Sequence, residues 1–360
     1  MISGKMKIAV LFVIALLLSA WNIAAPEQVR AAGKPIVLKV ANRFPPPPSD
    51  ASRFVLEWCE RVKKKSGGRV DFKYYWGGSM VSAPEELSML GNRVFDIGVV
   101  SWVVQPGITP LGTVDWAVPF NTSDCNISLQ AKKGLYAEIP EIMAELTKQN
   151  VKPMLWFPMK QFWLYTKFPI NTLDDLKGKK IGCSGRNLTR FMKACGAVTV
   201  SNLVGDKYEM LQRGVTEGDL MSFFFMTDFK LYEVVNYLYK INIGRAVTVA
   251  YSVNMDTWKS LPKDIQDIMT QEARATEEWE CAMEPIWAKE KMQKWIDAGV
   301  KIGSLPREEE VKWAERLKGH PQKWADEYEA KGLPGKKVMS RYIQLLQENG
   351  EDMHVKYEIK

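Results

Sequence analysis

Lys179-Lys-Ile-Gly-Cys-Ser-Gly-Arg-Asn-Leu-Thr-Arg-Phe-Met-Lys-Ala-Cys-Gly-Ala-Val-Thr-Val200 reads as a strand, a helix and a second strand in one short segment. Lys179 to Cys183 is the first strand. Leu188 to Cys195 has helical spacing and stops at Gly196, a residue that tolerates the left-handed backbone of a helix end. Val198-Thr-Val200 is strand-like again. Upstream, Asp174-Asp-Leu-Lys-Gly178 is a turn; downstream, Asp206 can cap a helix from Lys207 to Arg213 that ends at Gly214. Strands alternating with helices at this spacing imply βαβ units, so the class is α/β.

The same alternation occurs earlier in the chain. Ile36 to Ala41 is a buried strand, followed by a proline-rich loop from Pro45 to Pro48. Ser49 can cap a helix with Phe54, Val55, Trp58 and Val62 on one face, and Gly67-Gly68 ends it. Val70, Phe72 and Tyr74 alternate with Arg69, Asp71 and Lys73, the period-two pattern of a half-buried strand. Ser82 and Glu85 form a capping-box signature for a helix carrying Leu87 and Leu90, and Phe95 to Ser101 is the next strand. Two such series predict two lobes with a cleft between them.

Between and beyond these series, Met154 to Phe157, Phe162 to Thr166 and Ala246 to Val253 are strand-like. A long helix is predicted from Lys263 to Trp295, with a break near Pro285. Trp279, Trp287 and Trp295 recur every eight residues along it and read as packing anchors rather than ligand contacts. The segment Glu308 to Glu348 alternates charges and is expected as a solvated outer layer. The predicted division places residues 33–154 with about 246–285 in one lobe. Residues 155–245 with about 286–360 form the other.

At the amino terminus, Lys5 and Lys7 precede an apolar run from Ile8 to Leu18, with small residues beyond it. A positive start, an apolar centre of about a dozen residues and small residues after it define a secretory signal, predicted over residues 1–32. Val29-Arg30-Ala31 offers a cleavage pattern, with Ala20 and Ala25 as earlier alternatives. A membrane span needs about 20 apolar residues, which this run lacks.

The chain of 360 residues is 46% apolar and 25% charged, a globular composition. Its formal charge of +7 is dispersed among many acidic residues, which argues against a nucleic-acid partner. The five cysteines, Cys59, Cys125, Cys183, Cys195 and Cys281, include no Cys-x-x-Cys, so neither zinc nor a disulfide framework is signalled. Export permits a bridge, and Cys183 with Cys195 is the closest pair in sequence. The two histidines, His320 and His354, lie near the carboxyl end and are too few for a hydrolytic triad or a histidine-rich metal site. Gly182-Cys-Ser-Gly185 does not match the spacing of a nucleophile turn. No catalytic residue, metal site or cofactor is predicted.

Three stretches carry a resemblance. Pro169-Ile-Asn-Thr-Leu-Asp-Asp-Leu-Lys-Gly-Lys-Lys-Ile181 follows a Pro-Ile-x-x-x-x-Asp-Leu-Lys-Gly-x-Lys-Ile pattern. Tyr208-Glu-Met-Leu-Gln-Arg-Gly-Val-Thr-Glu-Gly218 and Trp258-Lys-Ser-Leu-Pro-Lys-Asp-Ile-Gln266 match the segments that follow it in order. Together they resemble the solute-binding subunit, of the dicarboxylate-binding DctP-like type, of tripartite ATP-independent periplasmic (TRAP) transporters. The resemblance implies a periplasmic receptor of the two-lobed, Venus-flytrap kind, without enzymatic activity. Its lobes are joined by hinge strands and a long bridging helix, and they close around one small organic solute. The closed form would dock onto TRAP membrane subunits.

One departure bears on the ligand. The family usually carries an arginine directly after the Lys-x-Ile strand, paired with a ligand carboxylate, and here that position is Gly182. A second arginine position corresponds to Gln161. Either Arg186 or Lys160 supplies the cation and the ligand is an organic acid, or the ligand is an amine, alcohol or neutral aromatic solute. In the second case aromatic faces and a carboxylate such as Asp219 would hold it. The candidate ligand contacts are Asn42, Ser101, Trp102, Lys160, Gln161, Trp163, Arg186, Asp219, Met221 and Phe223. An exported enzyme using Cys183 or Ser184, and a ligand sensor for a membrane receptor, are the alternative functions.

Overall fold

The computed structural model describes residues 34–360, and the predicted secretory signal lies outside the described residues. β1 (Ile36–Ala41), α1 (Asp50–Lys65), β2 (Val70–Tyr75), α2 (Glu86–Gly91) and β3 (Ile97–Ser101) open the chain. α3 (Cys125–Glu138) and α4 (Pro140–Thr147) lead to β4 (Val151–Phe157), after which the chain crosses to β5 (Phe162–Thr166). Then come β6 (Lys180–Cys183), α5 (Arg186–Ala194), β7 (Val198–Ser201), α6 (Lys207–Gln212), β8 (Gly218–Ser222), α7 (Phe223–Asp228) and β9 (Tyr237–Lys240). A second crossing reaches β10 (Val249–Asn254), α8 (Met255–Ser260), α9 (Lys263–Asp297) and β11 (Lys301–Ser304). α10 (Arg307–Leu317), α11 (His320–Glu329) and α12 (Gly335–Glu348) finish it.

The strands form two sheets, in the orders β2-β1-β3-β10-β4 and β11-β9-β5-β8-β6-β7. In the first, β1, β2 and β3 are parallel while β10 runs antiparallel to both β3 and β4. In the second, β6, β7 and β8 are parallel and β5 runs antiparallel to β8. The pairings Ser101 with Val249 and Phe162 with Ser222 set the carboxyl ends of the parallel strands beside the two crossings. That end is where open α/β sheets place their ligands.

Helix α1 forms because its apolar residues share one face, and Phe54, Val55, Trp58 and Val62 are all fully buried. Each such side chain contributes about 1.5–3 kcal/mol on leaving water. Gly67 and Gly68, at φ +64° and +77°, turn the chain away from this helix. The long helix α9 spans both halves. Its first part carries Ile265, Met269 and Ala273 into the core beneath the first sheet, and Met269 accepts a hydrogen bond from the Trp58 indole at 3.0 Å. Its far end anchors on the second half, where the Trp295 indole donates to Thr227 Oγ1 at 2.8 Å and packs on Tyr165. Pro285 lies inside this helix without ending it.

Two expectations are corrected. The bridge is Cys125–Cys281, and Cys183 and Cys195 are free and buried. Cys183 ends β6 whereas Cys195 follows α5, and nine helical residues span roughly 14 Å, beyond disulfide reach. The carboxyl-terminal helices are also not an outer layer. Trp313, Tyr342 and Leu346 are fully buried, the Trp313 indole donates to Phe191 O at 2.9 Å, and Trp324 donates to Thr113 Oγ1 at 3.1 Å. Segments expected with the second lobe thus pack on the stretch between β3 and α3 as well as on α5. The buried stripe of Val338, Met339, Tyr342, Ile343 and Leu346 recurs at helical spacing beneath the alternating charges.

Candidate functional site

A cavity of about 420 Å³ lies where the two crossings meet the long helix, within the usual size range of small-molecule sites. The start of α3 supplies Ser123 to Asn126, the first crossing Lys160 and Gln161, and the second half Trp163, Phe223 and Phe224. Arg245 enters from the second crossing, and Glu284 and Pro285 from α9. The Cys125–Cys281 bridge forms part of the wall and ties α3 to α9.

Arg245 is positioned from its backbone outward. Gly244 adopts φ +116°, a conformation that favours glycine, and a Cβ there would lie 2.6 Å from Asn121 Oδ1. Asn121 Oδ1 accepts from the Arg245 amide at 2.9 Å, and Asn121 Nδ2 donates to the Arg245 carbonyl at 2.8 Å. The guanidinium donates from Nη1 to Met159 O and to Glu284 Oε2, each at 2.9 Å, and from Nη2 to Glu284 Oε1 at 2.6 Å. Its Nε donates to Ser123 O at 3.3 Å. Lys160 pairs with the fully buried Glu280 and lies 3.5 Å from Glu284 Oε2. Burial pushes the Glu284 carboxyl up, but Arg245 first and then Lys160 outweigh it and hold the group below its ordinary range.

The apolar wall is aromatic. Trp163 and Phe223 stack with centroids 4.2 Å apart, and Lys160 Nζ sits 5.2 Å from the Phe224 ring centre. Gln161 bridges, donating to Ser123 O and accepting from the Trp163 indole, both at 3.3 Å. Asp124 caps α3 by accepting from the Ile127 amide at 2.9 Å.

Of the predicted contacts, Lys160, Gln161, Trp163 and Phe223 come together here. The others are placed elsewhere. Asn42 is fully buried, with its amide donating to Ser52 Oγ and Tyr251 OH at 3.0 Å. Ser101 ends β3, and Trp102 is fully buried in a stack on Trp156. Met221 lies within β8, its carbonyl accepting from Tyr165 OH. Arg186 begins α5 in an exposed position and acts electrostatically on Glu327 and His320 of α11.

Asp219 is not an open carboxylate. It is fully buried, and Lys207 Nζ and Asn202 Nδ2 each donate to it at 2.6 Å. This cluster explains Gly182, which faces it across the β6–β8 pairing. A Cβ at Gly182 would meet Asp219 Oδ2 at 2.1 Å and Asn202 Nδ2 at 2.3 Å. An arginine side chain therefore has no room at that position.

Sequence reasoning missed Arg245, Glu284 and the start of α3. Arg245 is a lone cation between the apolar residues of Ile241 to Ile243 and Ala246 to Val247, which is a usable signal. Glu284 carries none, being one acid among many on a charged helix.

The family model described as bacterial extracellular solute-binding protein, family 7 (DctP), matches residues 44–327. The C4-dicarboxylate-binding protein DctB of Bacillus subtilis is 25% identical over 272 residues, 72% of this chain and 74% of that protein. A TRAP periplasmic solute-binding protein from Desulfovibrio salexigens superposes with a TM-score of 0.79 at 26% identity, covering 88% of this chain and 97% of that one. A marine metagenome TRAP solute-binding protein specific for aromatic acid ligands gives a TM-score of 0.74 at 21% identity, covering 88% and 100%. Two sheets meeting at a shared cavity, a helix spanning both halves and a family match over most of the length lead to one assignment: the chain belongs to the DctP family of extracellular solute-binding proteins, the solute-binding subunits of TRAP transporters.

Proposed function

We propose that this protein is an exported receptor that captures one small organic solute by lobe closure and presents it to TRAP-type membrane subunits. The observation that carries this reading is the cavity itself, which both crossings, the aromatic wall of the second half and the bridging helix build together. A solute that touches all of these elements would favour the arrangement that brings them together, which is a population shift driven by contacts to both halves. The lobes that move are the halves built on the two sheets, hinged at the crossings between Phe157 and Phe162 and between Lys240 and Val249. The Cys125–Cys281 bridge supports delivery to an oxidising compartment, in keeping with a cleaved signal over residues 1–32 and a periplasmic location.

The enzyme alternative draws no support from the geometry. Burial pushes the Cys183 thiol up to about 12, away from the reactive thiolate, and Asp219 adds to the shift. Ser184 Oγ donates to the carbonyl of Asn202 at 3.0 Å, an ordinary structural bond. Thermal-shift screening against amines, alcohols, sugars, aromatic solutes and organic acids tests the receptor reading. A solute at a hundred times its dissociation constant should stabilise the fold by about 2.7 kcal/mol. If no class shifts the melting temperature, the receptor reading fails.

A further inference from the structure

We propose that Glu284 is an internal carboxylate occupying the guanidinium of Arg245, so that the cavity selects a flat, apolar-bodied solute ending in an ammonium or hydroxyl group and rejects one ending in a carboxylate. The inference rests on the receptor reading and adds to it the class of solute.

Three observations carry it. First, Arg245 is already used: of the five N–H donors of a guanidinium, Ser123 O, Met159 O and the two oxygens of Glu284 take four. A ligand carboxylate would have to displace Glu284 to obtain the fork-to-fork pair that makes arginine a good carboxylate partner. Second, of Arg245, Lys160 and Glu284 on the cavity wall, the acid is the most accessible. The side chains of Arg245 and Lys160 keep 3% exposure and Glu280 none, whereas Glu284 keeps 13%. Glu284 Oε1 accepts one hydrogen bond, from Arg245 at 2.6 Å, and retains a further lone pair for a donor from the cavity, whereas Oε2 faces both Arg245 and Lys160. Third, the neighbouring surface suits an aromatic or cationic solute. Trp163, Phe223 and Phe224 line the cavity, and Lys160 Nζ, 5.2 Å from the Phe224 ring centre, shows a cation accommodated against this aromatic wall, where the ring quadrupole attracts it.

The experiment compares three probes that share one ring: benzylamine, benzyl alcohol and benzoate, titrated calorimetrically into wild type and Glu284→Gln. The expected result in wild type is binding of benzylamine at least tenfold tighter than benzoate, with benzyl alcohol between them. In Glu284→Gln the order reverses, because Arg245 loses its internal partner and becomes available to benzoate. Should Glu284→Gln fail to fold, the wild-type comparison still decides, and Glu284→Asp should keep the wild-type preference. Benzoate binding wild type as tightly as benzylamine overturns the inference and leaves the receptor reading standing. A library in which only acids stabilise the protein does the same. A library in which nothing stabilises it overturns both.

Discussion

Lys207–Asp219, inside the second half, and Arg245–Glu284, between the second crossing and α9, are both cation–carboxylate pairs, yet they differ in what surrounds them. In the first, both side chains are fully buried and Asn202 joins them, so the two charges are paired entirely inside the protein. In the second, the base is buried with four of its five donors taken, while its acid reaches the cavity. The shifts differ too: burial pushes the Asp219 carboxyl up, whereas Arg245 draws Glu284 down against burial. A closed pair serves packing and register. A pair with one open side offers that side's charge to a ligand, and here the open side is negative.

The largest expected effect comes from opening the closed pair. Asp219→Ala leaves Lys207 buried and unpaired, which should cost about 3–5 kcal/mol in urea unfolding. A loss below 1 kcal/mol would mean that the pair is not as dry as described. Next comes the bridge that fixes the wall of the open pair. Replacing Cys125 and Cys281 by serine removes a link across 156 residues and should cost about 2–4 kcal/mol, read from the same unfolding curves. Dithiothreitol should reproduce that loss in wild type.

Gly182→Arg tests whether the closed pair excludes a ligand-binding cation. It should destabilise by about 1–3 kcal/mol through overpacking against Asp219 and Asn202, with no gain in benzoate affinity. An arginine there that tightens benzoate would contradict the account of a filled position. Glu284→Gln should cost only about 1–2 kcal/mol, less than Asp219→Ala, since its site is open on one side. Equal losses at the two sites would erase the contrast.

The smallest effect is a constancy with pH. The folded-state pKa of Glu284 lies below its ordinary 4.5, so its contribution to stability is present above that value and is lost only as pH falls through the folded value. Benzylamine affinity should therefore stay within about twofold between pH 7 and pH 5. A midpoint of loss near pH 6 would point to a different group.

Much of the fold is legible in local pattern. Phe54, Val55, Trp58 and Val62 at helical spacing, and Val70 and Phe72 two apart, place α1 and β2 because a single buried face leaves its period in the sequence. Strand β8 escapes that reasoning: Gly218-Asp-Leu-Met-Ser222 is buried on both faces and places a charged residue in the core, so it has no alternation to detect. The site divides in the same way. Lys160, Gln161 and Trp163 are recognisable as polar or aromatic residues at a predicted strand end, and Phe223 opens a run of three phenylalanines. Asp219 looks equally suitable until Lys207, twelve residues away, is seen to neutralise it.

By itself, then, the sequence determined the α/β class, the two successive series, the long helix and the family. These follow from periodicity, caps and short motifs, all of which act over a few residues. Only the tertiary structure decided which cysteines bridge, which carboxylate is neutralised and which is open, and why Gly182 replaces an arginine. Those outcomes depend on side chains brought together from 12 to 156 positions apart, and on how much water reaches them once packed. Charge pairing in a protein is set by burial as much as by residue type, and burial is a property of the assembled fold.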